Sequence, residues 1–159
     1  MPRLISFASL LLGLSLLLGG CAPEPAEPAQ PAAHPWRHEA PDGSIHLWTV
    51  DHMHVMNMVA WCLQQQRYDL LIDEVIAEQT KTEYRSLGRD PLEAVQWMVQ
   101  NEADINRLFS LLRASRGRVE NAGYKRVRLT LYGPLKYELP ITQMEVVMEN
   151  RVWKLAVIR

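Results

Sequence analysis

Cysteine is scarce in this chain: two occur in 159 residues, Cys21 and Cys62. That excludes a small fold held by a framework of disulfides. Phenylalanine is equally rare, with two copies, so the interior has to be built from Leu, Val, Ile and Met. Charge of one sign is missing as well, since 17 basic and 18 acidic side chains leave a formal net charge of −1. A balance of that kind argues against a dedicated nucleic-acid binder. No apolar run reaches the ~20 residues of a permanent membrane-spanning helix. Catalytic signatures are absent: there is no GxSxG, no HExxH, no Gly-rich phosphate loop and no EF-hand pattern. No residue is therefore nominated as catalytic, as a metal ligand or as a cofactor ligand, and a non-enzymatic role is expected.

What is present begins with "MPRLISFASLLLGLSLLLGGCAPEP". Arg3 precedes a leucine-rich stretch that runs from Leu10 to Leu18, broken only by Gly13 and Ser15, and ends in small residues before Cys21. This is the three-part order of a secretory signal. Leu18-Gly19-Gly20-Cys21 resembles the lipobox of bacterial lipoproteins. The resemblance implies that residues 1–20 are removed and that Cys21 carries diacylglycerol, with a further acyl chain on the new amino terminus. Three chains at ~0.8 kcal/mol per buried methylene would make release from a bilayer negligible. Ala22 stands where retained inner-membrane lipoproteins of the enteric type carry Asp, so the resemblance points to the outer membrane, with the protein facing the periplasm. With Cys21 lipidated, Cys62 is the only remaining thiol.

Residues 21–43 then read as a lipid-anchored linker. "APEPAEPAQPAAHPWRHEAPDG" holds six of the chain's ten prolines among Ala and Glu, a composition that cannot bury enough apolar surface to fold. Residues 44–159 remain as one globular domain.

In "SIHLWTV", Ile45, Leu47 and Thr49 alternate with His46, Trp48 and Val50, as in a short strand. A helix is expected from Asp51, its N-cap, to Gln66, with Val55, Met56, Val59, Cys62 and Leu63 on one face. A second is expected over 68–79, burying Leu70, Leu71, Val75 and Ile76. Asp90, Pro91 and Glu93 form a capping-box start, with Asn101 marking a bend or restart. Ile105, Leu108, Phe109 and Leu112 continue the helical spacing.

After Gly117 the period changes from 3.6 to 2. "YKRVRLTLY", "ITQMEVVMEN" and "RVWKLAVI" read as strands, with Glu149-Asn150 as a hairpin turn. Helices followed by antiparallel strands give an α+β class: N-terminal helices packed on a curved antiparallel sheet formed by the C-terminal third. "LQQQRYDLLIDEVIAEQ" and "MEVVMENRVWKLAVI" resemble the opening helix pair and final hairpin of the NTF2-like α+β superfamily. That resemblance implies a pocket between sheet and helices but no particular reaction.

Charge is unevenly distributed: 14 acidic against 6 basic side chains lie between Ala22 and Leu112, and 4 against 10 between Arg113 and Arg159. The cations of the second region are dispersed through strands, as on a solvated sheet face. Asp69, Asp73 and Glu74 likewise read as a charged helix face.

"DHMHVMNM", residues 51–58, raises a rival possibility. His54, Met58 and Cys62 follow at i, i+4 and i+8, and an imidazole, a thioether and a thiolate make a sensible Cu(I) set. Their drift of ~40° per step carries them off one line, and methionine also fills core gaps. Core methionines and surface histidines are the expectation.

The leading functional reading is a lipid-anchored periplasmic module that contacts the membrane through its N-terminal lipid. It would bind a small apolar ligand or an envelope protein through the concave sheet face, without cofactor or nucleic acid. A small pocket enzyme of NTF2-like type, with His46 as the candidate, and a Met/His copper protein are the alternatives. Tyr84, Tyr124, Tyr132 and Tyr137 are the candidate pocket aromatics.

Overall fold

The computed structural model describes residues 34–159. The leader, Cys21 and residues 22–33 lie outside the described residues. The expected α+β class is what the structure shows. A β-hairpin opens the described part, pairing β1 (Arg37–Glu39) with β2 (Ile45–Leu47). Then come α1 (His54–Gln64), the short α2 (Tyr68–Leu70), a π-turn (Leu71–Val75), α3 (Glu78–Ser86), α4 (Leu92–Gln100) and α5 (Glu102–Arg113). A four-stranded antiparallel meander follows, in the order β3 (Gly117–Gly123), β4 (Arg126–Leu131), β5 (Gln143–Glu149) and β6 (Val152–Ile158). A short α6 (Leu135–Glu138) lies between β4 and β5. Among the described residues no helix is long and apolar enough to cross a membrane.

Part of the stretch expected as linker, residues 36–39, belongs to the folded domain. Trp36 is buried, its indole set edge-on to Trp61 at 6.1 Å, and Arg37, His38 and Glu39 pair with Leu47, His46 and Ile45. The aromatic that interrupts the Pro-rich run is thus a core residue. It brings the flanking chain into a strand despite an unfavourable composition. In β2, Leu47 faces inward while His46 and Trp48 face outward, as the alternation implies.

The helices follow the apolar stripes, with three departures. Asp51 does not cap α1; its carboxylate accepts the Met53 N–H at 2.9 Å and closes the turn before the helix. The helix expected over 68–79 breaks at Ile76, which turns extended (φ −74, ψ 134) and bridges Leu155. The Ala77 N–H then bonds Leu155 O at 2.8 Å, so a main-chain bond to β6 overrides local helical preference. The next helix, α3, has no fully buried residue and its N-cap residue, Ala77, makes no side-chain capping bond. Its first turn is satisfied from a distance, by the Glu149 carboxylate on the Glu78 and Gln79 N–H groups.

The local signals at α4 and α5 hold. Asp90 accepts the Leu92 N–H at 2.9 Å while Glu93 accepts the Asp90 N–H at 3.1 Å, the reciprocal bonds of a capping box. Asn101 separates the two helices, and Ile105, Leu108, Phe109 and Leu112 are all buried.

Leu129, Leu131, Met144, Val146, Trp153 and Leu155 form the sheet's inner face and share one core with α1 and α5. Gly117 is needed where β3 passes α5, because a Cβ there would collide with Leu112 Cδ2 and meet the Thr130 carbonyl oxygen at 2.9 Å. The β5–β6 turn is made by Asn150 and Arg151, both at positive φ (50° and 69°), one residue later than the Glu149-Asn150 reading. The pairing of Met144 with Ile158 and Glu145 with Val157, but Val146 with Leu155, leaves Ala156 as a surplus residue in β6. That bulge keeps Ile158 on the inner face.

Candidate functional site

The bulge helps form the best-defined pocket, of about 150 Å³. Thr80, Glu83 and Tyr84 of α3 form one wall, Ala94, Trp97 and Met98 of α4 the other, and Ile76 with Leu155–Ile158 the floor. It therefore lies at the β6 edge and not on the concave sheet face. Ile76, where the helix breaks, and Ala156, the surplus residue of the bulge, both line this pocket. Cavities near 150 Å³ hold a benzene-sized solute, whereas drug-sized sites are several times larger. Trp97 remains 37% exposed at the pocket and Leu87 and Leu92 are exposed on the same two helices or just beyond them. Glu83 and Thr80 are the polar groups along the α3 wall, and no cationic side chain lines the space. Chemically the pocket can take a small apolar group that carries a hydrogen-bond donor or a positive charge at one end.

Of the four candidate tyrosines, only Tyr84 reaches this pocket. Arg89 lies over its ring at 4.9 Å. Tyr124 and Tyr137 are fully in solvent, and the Tyr132 hydroxyl donates to the Ser115 carbonyl at 3.0 Å. Tyr84 is the α3 pocket residue that the sequence reading names; Thr80 and Glu83 escape it because that helix has no apolar stripe, and Trp97 was the other available aromatic signal.

A second constellation surrounds His46. Its Nδ1 lies 2.9 Å from Glu74 Oε1, and its Nε2 lies 3.3 Å from Ser44 Oγ. Glu74 also accepts the Leu47 N–H, and its backbone carbonyl accepts from Lys154 Nζ. Serine, imidazole and carboxylate in that order are the parts of a nucleophile–base–orienter relay. The hydroxyl, however, donates its one hydrogen to Asp42 Oδ1, the shorter contact at 2.7 Å. His46 is more than half exposed, and it lies outside the pocket between α3 and α4. The relay serves as a clamp: Glu74 fastens the N-terminal hairpin to the π-turn, and Lys154 ties that turn to β6. Burial pushes the Lys154 ammonium below its ordinary value, opposed by the nearby Glu74 charge.

The histidine–methionine stretch is divided between surface and core. Met56, Met58 and Cys62 are buried, while the His54 ring turns to Thr49 Oγ1 at 3.3 Å and Asp51 at 3.9 Å. Burial, with the charge of Asp69 second, pushes the Cys62 thiol up to about 12, far from the thiolate a soft metal needs. Among the described residues no cluster of three or more His, Cys, Asp or Glu is placed to hold a metal ion.

Three arginines of the C-terminal third converge on one carboxylate. Arg128 Nε and Arg126 donate to Glu145 at 2.9 and 3.1 Å, with Arg159 at 3.5 Å. Burial alone would raise the Glu145 carboxyl, but Arg128 and Arg126 outweigh it and hold it below the ordinary carboxylate value. Asp69 pairs with Arg67 at 2.7 Å on the surface. No family model matches the chain, and no curated protein or solved structure matches it significantly.

Proposed function

We propose that this chain is a lipid-anchored module of the bacterial cell envelope, attached through Cys21 to the periplasmic face of the outer membrane. Its work is non-enzymatic: it holds a small apolar group in the pocket between α3 and α4. The reading draws its address from the Leu18-Gly19-Gly20-Cys21 pattern. It draws its activity from one observation, the 150 Å³ space walled by Tyr84, Trp97 and Met98 and edged by Glu83. An aromatic or short aliphatic amine satisfies both parts of that lining.

Benzylamine is the probe. Saturable quenching or shift of Trp97 fluorescence in the about-millimolar range is the expected result for so few ligand atoms. Ala94→Trp, which fills the space, abolishes it, and Glu83→Gln weakens benzylamine more than toluene. No saturable response with either probe would sink the ligand reading. The address is tested separately: Cys21→Ser should release the protein from the membrane fraction.

A further inference from the structure

The two edges of the main sheet are treated differently. β6 is covered along its length: its Trp153 N–H bonds the Thr49 carbonyl at 2.9 Å, its Leu155 carbonyl accepts the Ala77 N–H at 2.8 Å, and its Ala156 carbonyl accepts the Thr80 hydroxyl at 2.8 Å. β3 has no such cover. Among the described residues, no main-chain group other than those of β4 bonds to residues 117–123. β3 also lacks the proline and lysine that commonly blunt a free edge, and its bulge is confined to the far end, at Asn121/Gly123.

The hydrogen-bond phase shows which groups are free. The Tyr132 N–H bonds the Arg116 carbonyl at 3.3 Å, while the Leu131 N–H bonds Thr142 at 2.9 Å and the Met148 N–H bonds Lys125 at 2.8 Å. Odd-numbered residues of β4 therefore bond to β5 and even-numbered ones to β3. By antiparallel alternation, Arg118 and Glu120 bond inward to β4, and Gly117, Val119 and Asn121 point their N–H and C=O groups away from the sheet. Val119 is 58% exposed. Arg118 and Glu120 stand on the opposite face from Val119 and, for want of other partners, pair with each other at 2.6 Å.

We propose that β3 is a homodimer edge, where it pairs antiparallel with β3 of a second copy across a two-fold axis at Val119. The register follows from symmetry and charge. An axis perpendicular to the sheet keeps each face continuous, so paired residues must share a face. With Arg118 on the axis, the two arginines oppose each other; with Glu120 on the axis, the two glutamates do. With Val119 on the axis, each Arg118 faces Glu120 of the second copy, and the two valines meet on the inner face. That register also pairs Gly117 with Asn121 of the second copy and satisfies ~6 main-chain groups in each copy that are otherwise left to water. The strand's sequence is self-complementary in this arrangement alone. The proposal does not depend on what the pocket binds.

The test uses the full chain in excess non-ionic detergent, labelled as separate donor and acceptor populations and read by energy transfer between copies. The unaltered chain should self-associate. Arg118→Glu makes both residues acidic and Glu120→Arg makes both basic, so each variant alone should associate about tenfold more weakly. Mixed with each other, the two variants should regain energy transfer, because every facing pair is again opposite in charge. That recovery also shows that both variants are folded. Val119→Pro removes an N–H that β4 does not use and should abolish association while leaving the circular dichroism spectrum unchanged. No energy transfer in the unaltered chain at about 100 µM, a concentration far above that of a specific pair, overturns the proposal. So does energy transfer that is the same in the single variants, the mixture and the proline variant.

Discussion

Glu149 caps a helix that begins 71 residues before it. Its carboxylate accepts the Glu78 N–H at 2.9 Å and the Gln79 N–H at 3.2 Å, at the start of α3. The N-cap position itself, Ala77, offers no side-chain acceptor, so a residue at the end of β5 supplies what the local sequence lacks. Because α3 forms one wall of the pocket, this bond connects the main sheet to the candidate site.

Removing that cap should loosen α3. Glu149→Ala is expected to lower stability by about 1 kcal/mol, as for other lost N-caps. Glu149→Gln, which keeps an acceptor oxygen but loses the charge that suits a helix start, should cost less. Chemical denaturation measures both, and hydrogen exchange at residues 78–82 should rise in the alanine variant.

Trp36 anchors the start of the described residues in the core. Trp36→Ala should destabilise by about 3 kcal/mol, the usual scale for removing a buried aromatic. A chain shortened to begin at Ser44 loses Trp36 and β1 together and should be less stable still. Equal melting temperatures for chains beginning at 34 and at 44 would contradict the placement of this indole.

Glu145 predicts an acid limb. Its carboxyl lies below the ordinary 4.5 in the folded chain. Its contribution is therefore fully present above that value and is lost as pH falls through the folded value. Glu145→Gln should flatten the fall of stability below pH 4.5. At neutral pH, Glu145→Ala should cost about 1–3 kcal/mol, since it removes the acceptor of Arg128 and leaves Arg126 with Gln79 Oε1 alone.

Cys62 predicts the opposite limb. The thiol stays neutral up to about 12 in the fold, against an ordinary 9.0, so its contribution is fully present below 9.0 and is lost as pH rises toward the folded value. In a Cys21→Ser background, Ellman's reagent at neutral pH should react with Cys62 only as fast as the chain opens. Immediate reaction in the native state would show that the sulfur is accessible.

Much of this was legible where the signal is local. Asp90, Pro91 and Glu93 specify a helix start through bonds made within four residues, and the spacing of Ile105, Leu108, Phe109 and Leu112 names its own buried face. What was not legible depends on distant partners. "GRVENAG" has no apolar alternation and becomes β3 only because β4 offers a ladder. Ile76 sits in a helical pattern and is extended because Ala77 bonds to Leu155. Glu74 reads as one of a row of surface acids, yet it reaches across 28 positions to His46. The place of the pocket was hidden for the same reason, since one wall is a helix without a stripe and the floor is a strand with a residue too many.

Ala156, that extra residue, has a consequence for engineering. Excising it should leave Val157 opposite Glu145, Ile158 opposite Met144 and Arg159 near Gln143, because these pairings already hold on the far side of the bulge. The straightened strand would lose its outward step and the carbonyl that the Thr80 hydroxyl grips. A single deletion can thus erase the chamber while sparing the scaffold, which makes cavity and architecture separable properties of this chain.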